Sequence, residues 1–359
     1  MHLIDTNGYS LEVGSLLESS FDELLTNNYA NSNKVIIVDE NTREYCLSYL
    51  ITNFDALSEA EVIMLPAGEE SKQISLVNSV WEALTDYGVT RFDLIINLGG
   101  GVITDMGGFI ASCYKRGCDF INIPTSLLSM VDASIGGKTG INLGEFKNQI
   151  GLFSNPVALY IDPSFLATLP EDELISGYAE MLKHGLIADA DLYRDVCQHM
   201  NETSILTDEL LIRGIEIKNN IVTRDPLENG YRKILNFGHT IGHVIEGHFM
   251  YSLSISHGHA VAIGMMMEAF ISMKKAGLSQ QSYEEIEQHI LKNYPLPKFS
   301  NEDIQAMIEM LQNDKKNRAG KIMCCLLPKI GECTHDHEIA SEVFLEAFLH
   351  FENKQINLN

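Results

Sequence analysis

Hydrophobic positions fall into two textures along this chain. In the first half they gather in short β-rich runs: KVIIVDE (34–40), EVIMLP (61–66), DLIINLGG (93–100), CDFINIP (118–124) and VALYID (157–162). Intervals between them, such as KQISLVNSVWEALTDYG and DMGGFIASCYKRG, are long enough to hold crossover helices. This alternation predicts an α/β region with a mostly parallel, helix-covered sheet. After about residue 170 the apolar spacing lengthens to a helical one, in EDELISGYAEMLKHGLI, TDELLIRGIEIKNNIV, ILNFGHTIGHVIEGH, HAVAIGMMMEAFISMKKAG and EDIQAMIEMLQND. One late β-like piece, KIMCCLLPKIG (321–331), sits among them. The expectation is an α/β domain over 1–170 followed by a mainly α-helical domain over 171–359, with a ligand cleft where the sheet's carboxyl edge meets the helices.

Composition narrows the function classes. The chain has 359 residues, 45% of them hydrophobic, enough for two cores rather than one small module. Asp and Glu outnumber Lys and Arg by 49 to 25, a formal charge of -24. Such a chain repels nucleic acid and anionic membranes, so an anionic ligand needs a local basic pocket. The seven cysteines are odd in number and form no CxxC, which points away from a disulfide framework or a thiolate zinc site and toward the reduced cytoplasm. The opening MHLIDTNGYSLEVG has no signal-peptide pattern, and no 18-residue apolar run follows, so no membrane association is expected.

Three glycine-bearing loops carry candidate chemistry. DLIINLGGGVITDMGGF runs from a strand through Gly99, Gly100 and Gly101 into a helix, an arrangement that lets backbone N–H groups approach a pyrophosphate. It departs from GxGxxG, because Thr104 fills the third position, and an unliganded tight turn is the competing reading. DASIGGKTG (132–140) contains a GKT but has Asp132 where a Walker A loop needs glycine, so an ATPase is rejected. Lys138 is still available for a phosphate or carboxylate. PAGEESK (66–72) offers Glu69 and Lys72.

Histidines mark the second half. In NFGHTIGHVIEGH, His239 and His243 are four apart and share a helical face. Thr240 stands where HExxH would place its glutamate, so a zincin protease is unsupported. His248 is rotated off that face, whereas His257 can return to the pair across a turn. Glu180, in SGYAEMLKHG with Lys183 and His184 on its face, is the best oxygen ligand. The set suits zinc or cobalt better than calcium. Four protein ligands would close a tetrahedral site, so catalysis requires either a fifth coordination position or one member outside the ligand set. The basic residues Lys138, Lys147, Lys183, Lys218, Arg232, Lys315 and Lys316 could form an anion pocket or be solvated surface charges. A dinucleotide and a divalent metal used together would give all these groups a purpose.

PAGEESK, GGGVITDMGGFIASCYKRG, IPTSLLSMVDASIGGKTGIN, KNQIG, SGYAEMLKHGLI, NFGHTIGHVIE, HGHAVAIGM and DKKNRAGKI occur in this order. On these segments the chain resembles the 3-dehydroquinate synthases along nearly its full length. The resemblance implies a Rossmann-like N-terminal domain, a mainly helical metal-binding domain, NAD with Zn2+ or Co2+, and a homodimer. It implies conversion of 3-deoxy-D-arabino-heptulosonate 7-phosphate to 3-dehydroquinate and phosphate by transient oxidation, elimination, re-reduction, ring opening and intramolecular aldol closure. Related cyclases of sedoheptulose 7-phosphate and polyol dehydrogenases of the wider superfamily are the alternatives. Residue by residue, it implies metal on Glu180, His239 and His257, with His243 near the substrate. It implies a substrate pocket of Arg116, Asp132, Lys138, Lys183, Lys218, Arg232, Asn236 and one or both of Lys315 and Lys316. The NAD site it implies comprises Asp39, Glu69, Lys72, Gly101, Val102, Asp105, Thr125, Ser126, Lys138, Lys147 and Asn148. The family commonly reads HGE where this chain has HGH, which singles out His259.

Overall fold

All five apolar runs of the first half form strands, and further strands join them. In chain order these are β1 (His2–Ile4), β2 (Ser10–Val13), β3 (Lys34–Asp39), β4 (Glu61–Leu65), β5 (Leu94–Gly99), β6 (Asp119–Pro124), β7 (Lys138–Leu143), β8 (Phe146–Phe153) and β9 (Ala158–Ile161). The computed structural model describes residues 1–144, 146–202, 206–249, 255–312 and 322–358. The chain divides into one unit of Met1–Leu174 with Lys218–Thr223 and another of Ile175–Ile217 with Arg224–Asn359.

In the first unit the sheet runs β1-β2-β9-β6-β5-β3-β4. Every pairing is parallel except that of β1 with β2. Helices α1 (Ile74–Asp86) and α2 (Gly101–Cys113) supply Val77, Val80, Leu84, Ile103, Met106 and Ile110 to a core shared with Val35, Ile37 and Ile95. Because β3 and β5 are buried on both faces, their sequences read as continuous apolar runs rather than alternation. One polar pair interrupts that core. Asn97 and Asn122 lie opposite each other in β5 and β6, and Asn97 Nδ2 donates to Asn122 Oδ1 at 2.9 Å.

The parallel α/β expectation holds, with additions. β1 and β2 are three and four residues long, too short for a periodic signal. The segment read as a ligand loop around Lys138 becomes the first strand of the antiparallel β7–β8 hairpin.

The second unit is mainly helical, as expected. Its elements come from α3 (Glu171–Ala188), α4 (Ala190–Glu202), α5 (Asp208–Arg224), α6 (His239–Phe249), α7 (His257–Lys275), α8 (Gln280–Asn293), α9 (Asn301–Gln312), the hairpin β10 (Ile322–Lys329) and β11 (Glu332–Ile339), and α10 (Ser341–Leu358). Helix α7 is apolar almost all round and buried from Ala260 to Ser272, the mark of a helix at the centre of a bundle. The helical pattern expected from Ile234 begins instead at His239. Residues Tyr231–Asn236 form a separate tight turn, and Gly238 takes φ +81° before α6 starts. The cause lies far along the chain. The buried Glu268 carboxylate of α7 accepts from Gly238 N at 2.7 Å and Ile241 N at 3.1 Å, capping α6 from another helix. No helix among the described residues is long and apolar enough to cross a membrane.

Candidate metal centre and nucleotide loops

Three helices of the second unit bring ligand-type side chains together, and glycines set how closely they pack. A Cβ on Gly258, in the first turn of α7, would lie 2.0 Å from the carbonyl oxygen of Ser176 in α3. A Cβ on Gly264 would lie 2.0 Å from the Gly238 carbonyl that leads into α6. Any side chain at either position would push apart the helices that carry Glu180, His239 and His257. Gly258 N also donates to Ser176 Oγ at 3.1 Å, tying the start of α7 to α3.

The ligand atoms of Glu180, His239 and His257 all lie within 4.8 Å of one another. Glu180 Oε1 is 3.6 Å from His239 Nε2 and 3.7 Å from His257 Nε2. These gaps are too long for good hydrogen bonds. They are close to the separation of about 3.3 Å between two ligands at ordinary zinc bond lengths in a tetrahedron. The outer ring nitrogens are held separately: His239 Nδ1 is 3.3 Å from Phe237 O, and His257 Nδ1 is 3.2 Å from Glu246 Oε2. Both Nε2 atoms therefore face the shared carboxylate, whose other oxygen pairs with Lys183. Two imidazole nitrogens and a carboxylate so oriented fit a zinc- or cobalt-type ion.

The two histidines differ electrostatically. Burial, reinforced by the Lys183 ammonium, drives the His239 pKa well below its usual value, so this ring is neutral and ready to ligate. Burial also pulls His257 down, but the Glu246 and Glu180 carboxylates together outweigh it and push this pKa up to about 10. A metal binding at neutral pH must displace that proton.

The other histidines separate cleanly. The His243 ring is 5.1 Å from that of His239 and 6.0 Å from that of His257, on the exposed side of the cluster. His248 turns away to Asp303 Oδ1 at 2.7 Å, the residue that also accepts from Ser300 N at the start of α9. His259 Nε2 meets the Pro295 carbonyl at 2.7 Å, with its ring edge-on to Tyr294. Glu246 is the residue that sequence reasoning missed. Its signal was available, because His239, His243 and Glu246 at i, i+4 and i+7 share one face of α6.

The candidate substrate residues fall in both units. In the second unit Arg232 is buried and donates to Pro226 O at 2.6 Å, and Asn236 Nδ2 donates to Glu228 Oε1 at 2.7 Å. In the first, Lys218 pairs with Asp132 at 2.6 Å, and Lys138 is exposed at the start of β7. Arg116 lies in the short Tyr114–Arg116 turn that follows α2, with φ +68°. Lys315 and Lys316 lie outside the described residues.

Most nucleotide candidates follow the carboxyl ends of parallel strands, whereas Lys138, Lys147 and Asn148 lie in the antiparallel β7–β8 hairpin. Gly100 caps α2 without a side-chain bond, and no acidic residue occupies the first turn, which contains Gly101 and Val102. A Cβ on Gly100 would come 3.4 Å from Ser126 Oγ, and one on Gly101 would come 3.3 Å from the Ala133 Cβ. Thr125 N donates to Gly99 O at 3.1 Å, fixing the neighbouring turn. A bare helix start at the sheet's carboxyl edge fits a pyrophosphate. Alongside it, the buried Lys72 Nζ donates to Asp105 Oδ2 at 2.8 Å and Asn148 Oδ1 at 2.6 Å, with Glu69 3.8 Å away. Burial raises the Asp105 pKa while Lys72 opposes the shift. Asn142, given no role by sequence reasoning, is the hub: its N–H donates to Lys72 O, its amide to Glu69 Oε1, and its carbonyl accepts from Asn148 N. Lys147 is half-buried in β8. Asp39, at the end of β3, spends Oδ1 on capping the next helix through Thr42 N at 2.8 Å.

Residues 62–176 match the family model described as 3-dehydroquinate synthase N-terminal, and residues 177–317 match 3-dehydroquinate synthase C-terminal. The chain belongs to the 3-dehydroquinate synthase family. It is 40% identical over 315 residues to 3-dehydroquinate synthase of Parabacteroides distasonis, covering 87% of this chain and 89% of that protein. The solved structure of 2-epi-5-epi-valiolone synthase from Streptomyces hygroscopicus, with NAD+ and Zn2+ bound, matches at TM-score 0.84 and 26% identity over 99% of each chain. A 2-deoxy-scyllo-inosose synthase complexed with carbaglucose-6-phosphate, NAD+ and Co2+ also reaches 0.84, at 21% identity over 97% of this chain and 99% of that one, a likeness of fold. Membership makes the chain an enzyme of the NAD- and metal-dependent cyclase kind that works on a sugar phosphate.

Proposed function

We propose that the protein converts 3-deoxy-D-arabino-heptulosonate 7-phosphate to 3-dehydroquinate and phosphate. The observation that carries this reading is the 40% identity to a curated 3-dehydroquinate synthase across 87% of the chain. In this reading Glu180, His239 and His257 hold the metal, and the loops around Gly101, Lys72 and Ser126 hold NAD. When bound, NAD accepts and returns a hydride, and the metal acidifies and orients the substrate hydroxyl. The chain's own residues do the rest. Lys183 pairs with one oxygen of Glu180 and leaves the other facing the two histidines. His239 stays neutral because it is buried beside Lys183. His243, exposed beside the ligand pair, is placed to exchange protons with substrate and water. Arg232, Lys218 and Lys138 supply positive charge for the carboxylate and phosphate of an anionic substrate. The departing phosphate's own oxygen serves as base in the elimination, so no dedicated basic side chain is required.

This reading includes a homodimer and a cytoplasmic setting. The β7–β8 hairpin exposes Leu143, Phe146, Leu152 and Phe153, apolar surface that supports a second copy as its cover. All seven cysteines are free thiols, in keeping with a reducing compartment.

A second reading, cyclisation of sedoheptulose 7-phosphate, draws on the fold match to the valiolone synthase. It is the weaker one, because sedoheptulose 7-phosphate lacks the C1 carboxylate and leaves part of the basic set without a counter-charge. The deciding experiment incubates metal-loaded protein and catalytic NAD with each sugar phosphate in turn and follows phosphate release and product identity. Stoichiometric phosphate and dehydroquinate from the heptulosonate, without lasting NADH, is the expected result. Preferential turnover of sedoheptulose 7-phosphate overturns the substrate assignment, and NADH accumulating from a simple polyol makes the protein a dehydrogenase.

A further inference from the structure

We propose that Glu246 is a positioning residue for the metal centre: its carboxylate accepts the Nδ1 proton of His257 and so fixes the tautomer and ring plane that present Nε2 to the ion. The inference rests on the reading of Glu180, His239 and His257 as ligands. The His257 ring spans two carboxylates, with Nδ1 3.2 Å from Glu246 Oε2 and Nε2 3.7 Å from Glu180 Oε1. A neutral imidazole carries one proton. An ionised carboxylate only accepts hydrogen bonds, so the nitrogen facing Glu246 at bonding distance is the one that keeps it. The lone pair on Nε2 is then left for a metal.

The two histidines solve the same problem with different partners. The His239 side chain is 11% exposed and directs Nδ1 to the main-chain carbonyl of Phe237. The His257 side chain is 33% exposed, so packing restrains its ring less and it needs the stronger, charge-assisted acceptor. Glu246 is itself buried, on the face of α6 that carries His239 and His243. Ligand atoms of His243, Glu246 and His257 also lie within 4.8 Å of one another, the spacing of a second ion site. The two uses exclude each other, because Nδ1 of His257 cannot donate to Glu246 and bind an ion at once. The hydrogen-bonding distance assigns Glu246 to orientation and leaves one ion for this histidine cluster.

The test uses full-length protein with Co2+ and Zn2+ and three forms: wild type, Glu246→Gln and Glu246→Leu. Competition with a chelator gives metal affinity, elemental analysis gives stoichiometry, and nitrogen-15 shifts of the His257 ring in the zinc-loaded protein report its tautomer. Denaturant unfolding of the metal-free proteins separates positioning from general stability. Wild type should bind one ion. Glu246→Leu should weaken binding about 10–100-fold, and Glu246→Gln, which keeps an oxygen acceptor, should lose less. The His257 ring shifts should move in both variants. If Glu246→Leu does not fold, the Gln variant decides through its affinity and ring shifts. Unchanged affinity and unchanged His257 shifts in the folded variants overturn the proposal. Two ions in wild type falling to one without Glu246 also overturn it, in favour of a second metal site. A wild type that binds no ion, or binds one undiminished after His239→Ala, instead fails the underlying ligand reading.

Discussion

The buried charges of the two units are organised in opposite ways. In the first, Lys72 is enclosed and saturated, bonded to Asp105 and Asn148 at 2.8 and 2.6 Å. In the second, Glu180 is equally enclosed, yet the two histidines facing it stand off at 3.6 and 3.7 Å. The first arrangement is closed by the protein itself and organises loops. The second leaves a gap sized for an ion. Burial of a charged side chain therefore does not by itself mark a ligand site; the spacing of its partners does.

The largest expected effect breaks the open arrangement. His239→Ala should lower metal affinity by more than about 100-fold, beyond what loss of an outer partner costs, and activity should disappear with the metal. His243→Ala should slow turnover while keeping more metal, read by elemental analysis beside steady-state rates. Full metal content and normal turnover in His239→Ala would sink the ligand assignment.

Breaking the closed arrangement should act on stability first. Lys72→Met strands Asp105 without its cation and should destabilise the protein by about 3 kcal/mol in urea unfolding. Adding Asp105→Asn should recover part of that loss. If Lys72→Met weakens NAD binding without lowering stability, Lys72 is a ligand group rather than a scaffold.

A smaller effect concerns pH. In the metal-free protein the folded-state pKa of His257 is raised to about 10, above the unfolded value. Its contribution to stability is thus full below the unfolded pKa near 6.5 and is lost as pH rises through about 10. Metal needs the neutral ring, so apparent affinity should rise roughly tenfold per pH unit between about pH 7 and 9, with about one proton released per ion bound. Isothermal titration in buffers of different ionisation enthalpy counts that proton, and a pH-independent affinity would contradict the assignment.

The smallest effect lies just beside the metal cluster. His259 is engaged with the Pro295 carbonyl rather than with Glu180. His259→Glu should keep the metal and most activity and cost less than about 1 kcal/mol, since it loses one partly exposed hydrogen bond. Loss of metal in this variant would place His259 among the ligands.

Much of this is legible in the amino-acid sequence because it depends on local periodicity. Five parallel strands announce themselves as apolar runs, and the helical spacing of His239 and His243 by itself puts both rings on one face. Elements lacking a strong period are not legible: the very short β1 and β2 and the hairpin strands β7, β8 and β11. The helices α4, α8 and α10 do carry a helical period, in α10 through buried Phe344, Ala347, Phe348 and Phe351 at i, i+3, i+4 and i+7. Asn142 escapes notice because its partners lie 6 to 73 residues away, and a hydrogen bond across such a separation leaves no pattern in one chain. Glu246 differs, because its place on the His239–His243 face of α6 can be read from spacing alone.

What the sequence determined alone is the alternation of strands and helices, the acidic balance, and the kinds of ligand atom on offer. What only the tertiary structure decided is where α6 begins, set by Glu268 from a helix that comes later, and which histidines keep which partners. It also decided the distance between α3, α6 and α7, set by backbone contact at Gly258 and Gly264. Periodicity fixes direction around a helix axis. The separation between helices depends on side chains that meet only after folding.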